Sequence, residues 1–226
     1  MATQEGLITR RQLLELGLLP EEIDRHVRVG VLVLVRRGVY ARPEVWAAAG
    51  RWDQRQRLMD RAASLSTGRP HVWSHDSAAL RLDMQVLKQD GRSHLTHAGR
   101  RGSHTRAGIT HHHAPYTSAE LDPTGHSLRL ARVALDIARE HGIRAGVCAV
   151  DSALRMGATY EELEFSLERM KHWPGVSHAR VRLPSVIPTP TPSPRRSGAS
   201  SSRSWAMVDL RPSSACRQMG AWCGAT

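Results

Sequence analysis

The sequence predicts an α+β chain, and three observations carry that prediction. Between Leu7 and Arg42, two short helical patterns each end in a glycine and run into a β-branched stretch. Residues 93–98 and 107–114 read as two strands. Residues 126–170 hold three stretches with apolar positions at helical spacing.

Thr9 and Gln12 form a capping box, in which each side chain satisfies an orphan N–H of the first helical turn. Leu13, Leu14 and Leu16 give this first helix an apolar side, and Gly17 stops it. Pro20 suits the first turn of a second helix, since its missing N–H costs nothing there. Ile23 and Val27 are four apart and share a face, and Gly30 ends the helix. Val31 to Val35 then reads as a strand, Arg36-Arg37-Gly38 as a turn and Val39 to Ala41 as the return strand. Two helices on a tight turn followed by a hairpin outline a winged helix-turn-helix. In that fold the second helix enters the major groove and the hairpin lies along the phosphates. A small helical hairpin that only packs on its neighbour would give the same pattern. Residues 1–6 are too short for the helix that normally closes such a core, which implies a late start codon or a lost helix.

Glu44 to Leu65 reads as a linker helix, with Arg51, Arg55 and Arg61 on a basic face between Trp46, Trp52, Leu58, Met59 and Ala62. Val72 to Leu82 reads as a strand end and a helix with Ser74 as N-cap. Ser74, His75 and Asp76 are consecutive, so they should point apart rather than form a relay. The Arg-rich segment between strands 93–98 and 107–114 reads as a solvated hairpin tip in preference to a phosphate contact. His111 and His113 would share a strand face, with His94 on the neighbouring strand. Zinc could be held by such residues, but surface histidines on strands are ordinary, and the expectation is no metal and no cofactor. Thr159 and Glu162 form a second capping box. Asp136 and Asp151 read as isolated carboxylates, so no catalytic residue and no enzyme activity are expected.

Several of these stretches, in order, resemble one family. They are GLITRRQLLELGL, the segment Ile23 to Leu32, VRRGVYAR, SHDSAAL at 74–80, HLT at 94–96, RVALDIAREHGI at 132–143 and AVDSALRMGAT at 149–159. Together they resemble the AbiEi-type antitoxins of type IV toxin–antitoxin systems, over roughly residues 6–180. The resemblance implies a regulator that binds double-stranded DNA at operator repeats in its own promoter and represses the operon. It also implies a functional link to a nucleotidyltransferase-like toxin without a stable complex. Long relatives continue into a restriction-endonuclease-like domain. The rival expectation is therefore the remnant of a nuclease whose catalytic part is lost, and a third is a degraded gene product.

The chain has 226 residues, a formal net charge of +11 and three cysteines. The charge favours an anionic partner, nucleic acid first. Cys148, Cys216 and Cys223 form neither a disulfide framework nor a metal knuckle. No signal pattern and no membrane-length apolar run is present, so a cytoplasmic protein without a membrane partner is expected. The layout is a winged helix-turn-helix over 1–43, a linker helix over 44–67 and an α+β domain over 68–182. Residues 183–226, rich in Pro and Ser, would be a disordered tail, either read out of frame or native.

The candidate DNA-binding residues follow from this layout. Arg25 and Arg28 lie off the apolar face of the second helix and would grip base edges. Arg36 and Arg37 sit at the hairpin tip, where phosphates would lie, and Arg10 and Arg11 open the first helix beside the backbone it would cross. Glu21, Glu22 and Asp24 crowd the start of the second helix, so it would enter by its middle or not at all.

Overall fold

In the computed structural model the described residues are 4–87, 90–99 and 102–180. They all fall in the first of two units, residues 1–186. The expectations for 183–226, with the two cysteines there, lie outside the described residues.

The chain opens with strand β1 (Leu7–Thr9), which the sequence did not announce. Helices α1 (Arg10–Glu15) and α2 (Pro20–Arg28) follow, then β2 (Val33–Arg36) and β3 (Val39–Ala41). β3 lies between β1 and β2, antiparallel to both, and this is a winged helix-turn-helix. The Thr9–Gln12 capping box is present: the Gln12 amide donates to Thr9 Oγ1 at 3.3 Å, and the Thr9 amide donates to Gln12 Oε1 at 2.9 Å.

Alternation along these short strands divides the core into two layers. Ile8 and Tyr40 face α1 and α2, where they pack with Leu13, Ile23 and Leu32. Leu7, Val39 and Ala41 face the other way, onto Ala49, Leu58 and Ala62. The latter come from α3 (Pro43–Ala48), the bend after it, and α4 (Trp52–Ser66). The linker segment is thus two helices, and α4 covers the face of the sheet turned away from α1 and α2. Leu14 and Leu16, read as core positions, are exposed instead. Arg55 is not solvated as expected: it donates to the carbonyls of Ala49 and Trp46, both at 3.1 Å, with its guanidinium 4.2 Å over the Trp46 ring.

An isolated 1–43 segment is expected to be unfolded. Without α4, Leu7 and Val39 return to water, each at about 1.5–3 kcal/mol, which rivals the whole stability of so small a unit. A 1–67 segment should recover helical signal. A cooperative thermal transition in 1–43 monitored by circular dichroism would refute this.

The second part is a four-stranded sheet in the order β4-β5-β7-β6, made of β4 (Val72–Trp73), β5 (Ser93–His97), β6 (His104–Arg106) and β7 (Ile109–His113). The two strands read from the sequence, β5 and β7, are parallel neighbours rather than a hairpin, pairing His94 with Thr110 and Thr96 with His112. The intervening Arg-rich segment supplies β6, which turns back antiparallel on β7. Helices α5 (His75–Arg81), α6 (Leu130–His141), α7 (Ile143–Arg155), α8 (Tyr160–Arg169) and α9 (Val176–Arg180) complete the mixed α+β architecture. The core centres on α6, where every residue from Ala131 to Ala138 is buried. Gly142, at φ 84°, joins α6 to α7. At Gly146 a Cβ would come 2.5 Å from the Ala138 Cβ, so only glycine permits the approach of these two helices. No described helix is long and apolar enough to cross a membrane.

Candidate DNA interface

α2 lies with Ile23 buried and Val27 half-buried, which leaves Glu21, Arg25 and Arg28 exposed. Three or four residues apart, these form one stripe. Arg25 and Arg28 have no ion-pair partner among the described residues, so their guanidiniums are available to a ligand.

The acidic start of α2 is largely committed within the protein. Arg10 Nη1 donates to Asp24 Oδ1 at 2.9 Å and to Tyr40 Oη at 3.1 Å, tying α1 to α2 and to the wing. The Asp24 hydrogen bond, and then that of Tyr40, raise the Arg10 pKa further above its usual value. Glu22 Oε2 accepts the Leu19 amide at 2.7 Å, capping the helix. Of the three acids that crowd this end, only Glu21 has no such use. Arg10 therefore positions the helix pair, while Arg11 is exposed and weakly paired with Glu15 at 3.4 Å.

The two arginines of the wing part company. Arg37 is exposed. Arg36 is half-buried, and its Nη1 donates to the carbonyl of Ala107 at 2.8 Å, on the turn between β6 and β7. Burial lowers the Arg36 pKa, against a smaller upward pull from Asp60. Arg36 is thus a strut from the wing to the second sheet, 71 residues away in sequence. Nothing local could have announced it.

The histidines are also placed differently from the surface strand pattern read in the sequence. His111 and His113 do share one face of β7, with His97, whereas His94 lies on the opposite face with His112, and those two are buried. His94 Nδ1 and His112 Nε2 are 3.0 Å apart, and His94 Nε2 is 3.0 Å from Asp90 Oδ1. His75, at φ 46°, stacks on His112 with ring centroids 3.7 Å apart. That backbone conformation also brings His75 Nδ1 to 3.0 Å from Ser74 Oγ, so the two adjacent side chains do meet. They form no relay, because Asp76 bonds to His141 Nε2 at 2.9 Å. Ser74 occupies the N-cap position, but its hydroxyl accepts from Thr96 Oγ1 at 2.7 Å rather than capping the helix. Ligand atoms of His75, His94 and His112 lie within 4.8 Å of one another. A tetrahedral metal needs in-plane lone pairs that converge on one point, whereas stacked rings direct them side by side. As arranged, the group is a stack of three imidazoles in which His94 and His112 share a hydrogen bond.

A three-stranded wing packed on a helix pair, with unpaired arginines along the second helix, defines a DNA-binding module of the winged-helix class. Residues 2–43 match a family model described as "Transcriptional regulator, AbiEi antitoxin". The matched segment ends two residues after β3, so it covers both helices and the wing together. It supports a DNA-binding regulator role. No curated protein matches the chain.

Proposed function

We propose that this chain is a transcriptional regulator that binds repeats in its own promoter, represses its operon and counters a nucleotidyltransferase-like toxin encoded beside it without a stable complex. The reader would be residues 1–43, joined through 44–67 to the α+β domain of 68–182, and the setting cytoplasmic. The observation that carries this reading is the exposed, unpaired Arg25–Arg28 stripe on the second helix of a winged helix-turn-helix. Arginine can hold a guanine edge by two hydrogen bonds, worth about 1–3 kcal/mol of discrimination. Arg37 supplies a phosphate contact from the wing, and Arg11 a second from the first helix. Arg10 and Arg36 keep helix and wing in register with that surface.

Arg25→Ala and Arg28→Ala are each expected to cut the preference for the chain's own promoter over random duplex by about 10-fold or more. Arg37→Ala should weaken both DNAs alike and flatten the plot of log K against log salt by about 0.9. Titrations of both duplexes at several salt concentrations measure this. Full promoter preference in the Arg25 and Arg28 variants would show that α2 is not the reader. The toxin link is tested by co-expressing the neighbouring gene: rescue of growth without co-purification supports it, and an absent toxin gene removes it.

A further inference from the structure

Between the wing and the β6–β7 hairpin lies a cleft of about 710 Å³. Arg36 and Arg37 approach it from the wing, Arg69 from the segment after α4, and Arg106, His104 and His111 from the second sheet. No Asp or Glu is among the residues that line it. Arg37, Arg69 and Arg106 are exposed and have no ion-pair partner among the described residues. Other surface cations stand beside acids: Arg11 by Glu15, Arg57 by Asp83, Arg129 by Glu162 and Lys171 by Glu168. Like Arg25 and Arg28, the three exposed arginines here have no such partner among the described residues, and the cleft lining brings them together without a carboxylate.

We propose that this cleft is a second phosphate-binding surface, which takes the backbone of the duplex flanking the sequence read by α2. The inference rests on the DNA-binding reading above and adds the second domain to the interface. Two observations favour duplex DNA as the occupant. The cleft continues from the wing, the element that lies along phosphates in this class of fold. The Arg36–Ala107 bond also fixes the β6–β7 hairpin against that wing, so one backbone can run past both without a hinge between them. Duplex DNA presents a charge about every 1.7 Å along its axis, enough to meet Arg37, Arg69 and Arg106 in succession.

The test uses the full chain with Arg69→Ala and Arg106→Ala combined, and with the corresponding lysine pair. The probes are random-sequence duplex and the chain's own promoter fragment. The alanine pair is expected to bind both more weakly by the same factor, with the salt slope flattened by about 1.8, or 0.9 for each lost contact. The lysine pair should keep the slope, because a phosphate contact needs the charge more than the guanidinium fork. An unchanged melting temperature shows that the alanine pair is folded. If it keeps the wild-type slope while wild type binds and Arg25→Ala loses discrimination, the inference is overturned and the DNA reading stands. A loss confined to the promoter fragment would also overturn it, since phosphate contacts carry no sequence information. If wild type binds neither duplex, both readings fall together. Wild type that prefers single-stranded RNA or an acidic peptide at this cleft likewise rejects the proposal.

Discussion

Glu120→Gln is expected to destabilise the fold by about 3–5 kcal/mol, the usual cost of removing one partner from a buried ion pair. Glu120, in the short helical turn Ser118–Glu120, is among the most buried charges of the described protein. Its Oε1 accepts from Arg132 Nη1 at 2.6 Å and its Oε2 from Arg169 Nε at 3.1 Å. Burial alone would raise the Glu120 pKa, but the Arg132 charge and the Thr117 amide outweigh it and hold the carboxylate ionised. On the far side Asp136 accepts from Arg132 at 3.0 Å and from Arg139 at 2.8 Å. The Trp173 ring lies beside both guanidiniums, 4.8 Å from Arg132 and 5.0 Å from Arg139. Three guanidiniums thus share two carboxylates, and neutralising Glu120 removes the carboxylate that Arg169 bonds and leaves the buried Arg132 to share Asp136 alone with Arg139. The network ties α6 to α8 and to the segment before α9, so the loss should appear as lower unfolding cooperativity of the whole second domain. A urea midpoint measured beside Arg11→Ala, an exposed pair worth a few tenths of a kcal/mol, gives the comparison. A loss below about 1 kcal/mol for Glu120→Gln would mean that the network does not hold the fold together.

What could be read from the sequence was local. The boxes at Thr9–Gln12 and Thr159–Glu162 need only residues three apart, and both stand where the sequence put them. The helix pair and the wing have turn chemistry at fixed offsets, and the family match to 2–43 covers that part. β1 escaped notice because three residues cannot display alternation; Leu7 and Ile8 are both apolar and both buried, on opposite faces. β5 and β7 pair in parallel where α4 and α5 pack on β5, a tertiary contact that no turn signal encodes. Asp136 was read as isolated, although Arg132 stands four residues before it on the same helix face. The spacing was legible there, as was that of Arg139 three residues after it, but Glu120, which Arg132 also bonds, comes from outside the helix and appears only once the chain packs. Among the candidate DNA-binding residues, four arginines stand exposed. Arg10 and Arg36 are held by Asp24 and Ala107, neither of them a sequence neighbour. Arg69 was not a candidate, and Arg106 belongs to the segment read as a solvated tip rather than a phosphate contact, because a basic residue in a loop reads as solvated until its neighbours are known to be basic too.

Acid is expected to destabilise the protein chiefly through its buried histidines, His75 and His112, as pH falls below about 6. Burial, then the nearby His94, push the His112 pKa down to about 3. Burial with His112 and His94 pushes His75 well below its ordinary value. Burial, then His97 and His104, lower His111 to about 4, although water reaches it and reduces its part. Each is a base whose folded pKa lies below its unfolded value of about 6.5. Between the two values the unfolded chain takes up protons that the folded chain refuses. The stabilisation is therefore complete above about pH 6.5 and drains as pH falls toward 3–4, at up to about 1.4 kcal/mol per pH unit for each group.

Two groups oppose this acid loss. Burial pushes the Asp60 carboxyl up to about 6, so its contribution is present below the unfolded value and is lost as pH rises through about 6. The hydrogen bond to Asp76 raises His141, which favours the fold on the acid side of its own titration. Against them stand His75 and His112, both buried in one stack, with His111 adding a smaller part. The net slope is therefore downward with falling pH. Thermal melts from about pH 8 to about pH 4 should show a plateau near neutrality and a steep fall below about pH 6. His112→Asn removes one titrating base while keeping a hydrogen-bonding side chain for His94, so its melting temperature should be lower at neutral pH but fall less on acidification. A wild-type melting temperature flat from about pH 7 to about pH 4, or an unaltered acid slope in His112→Asn, would show that the buried imidazoles are not what acid attacks.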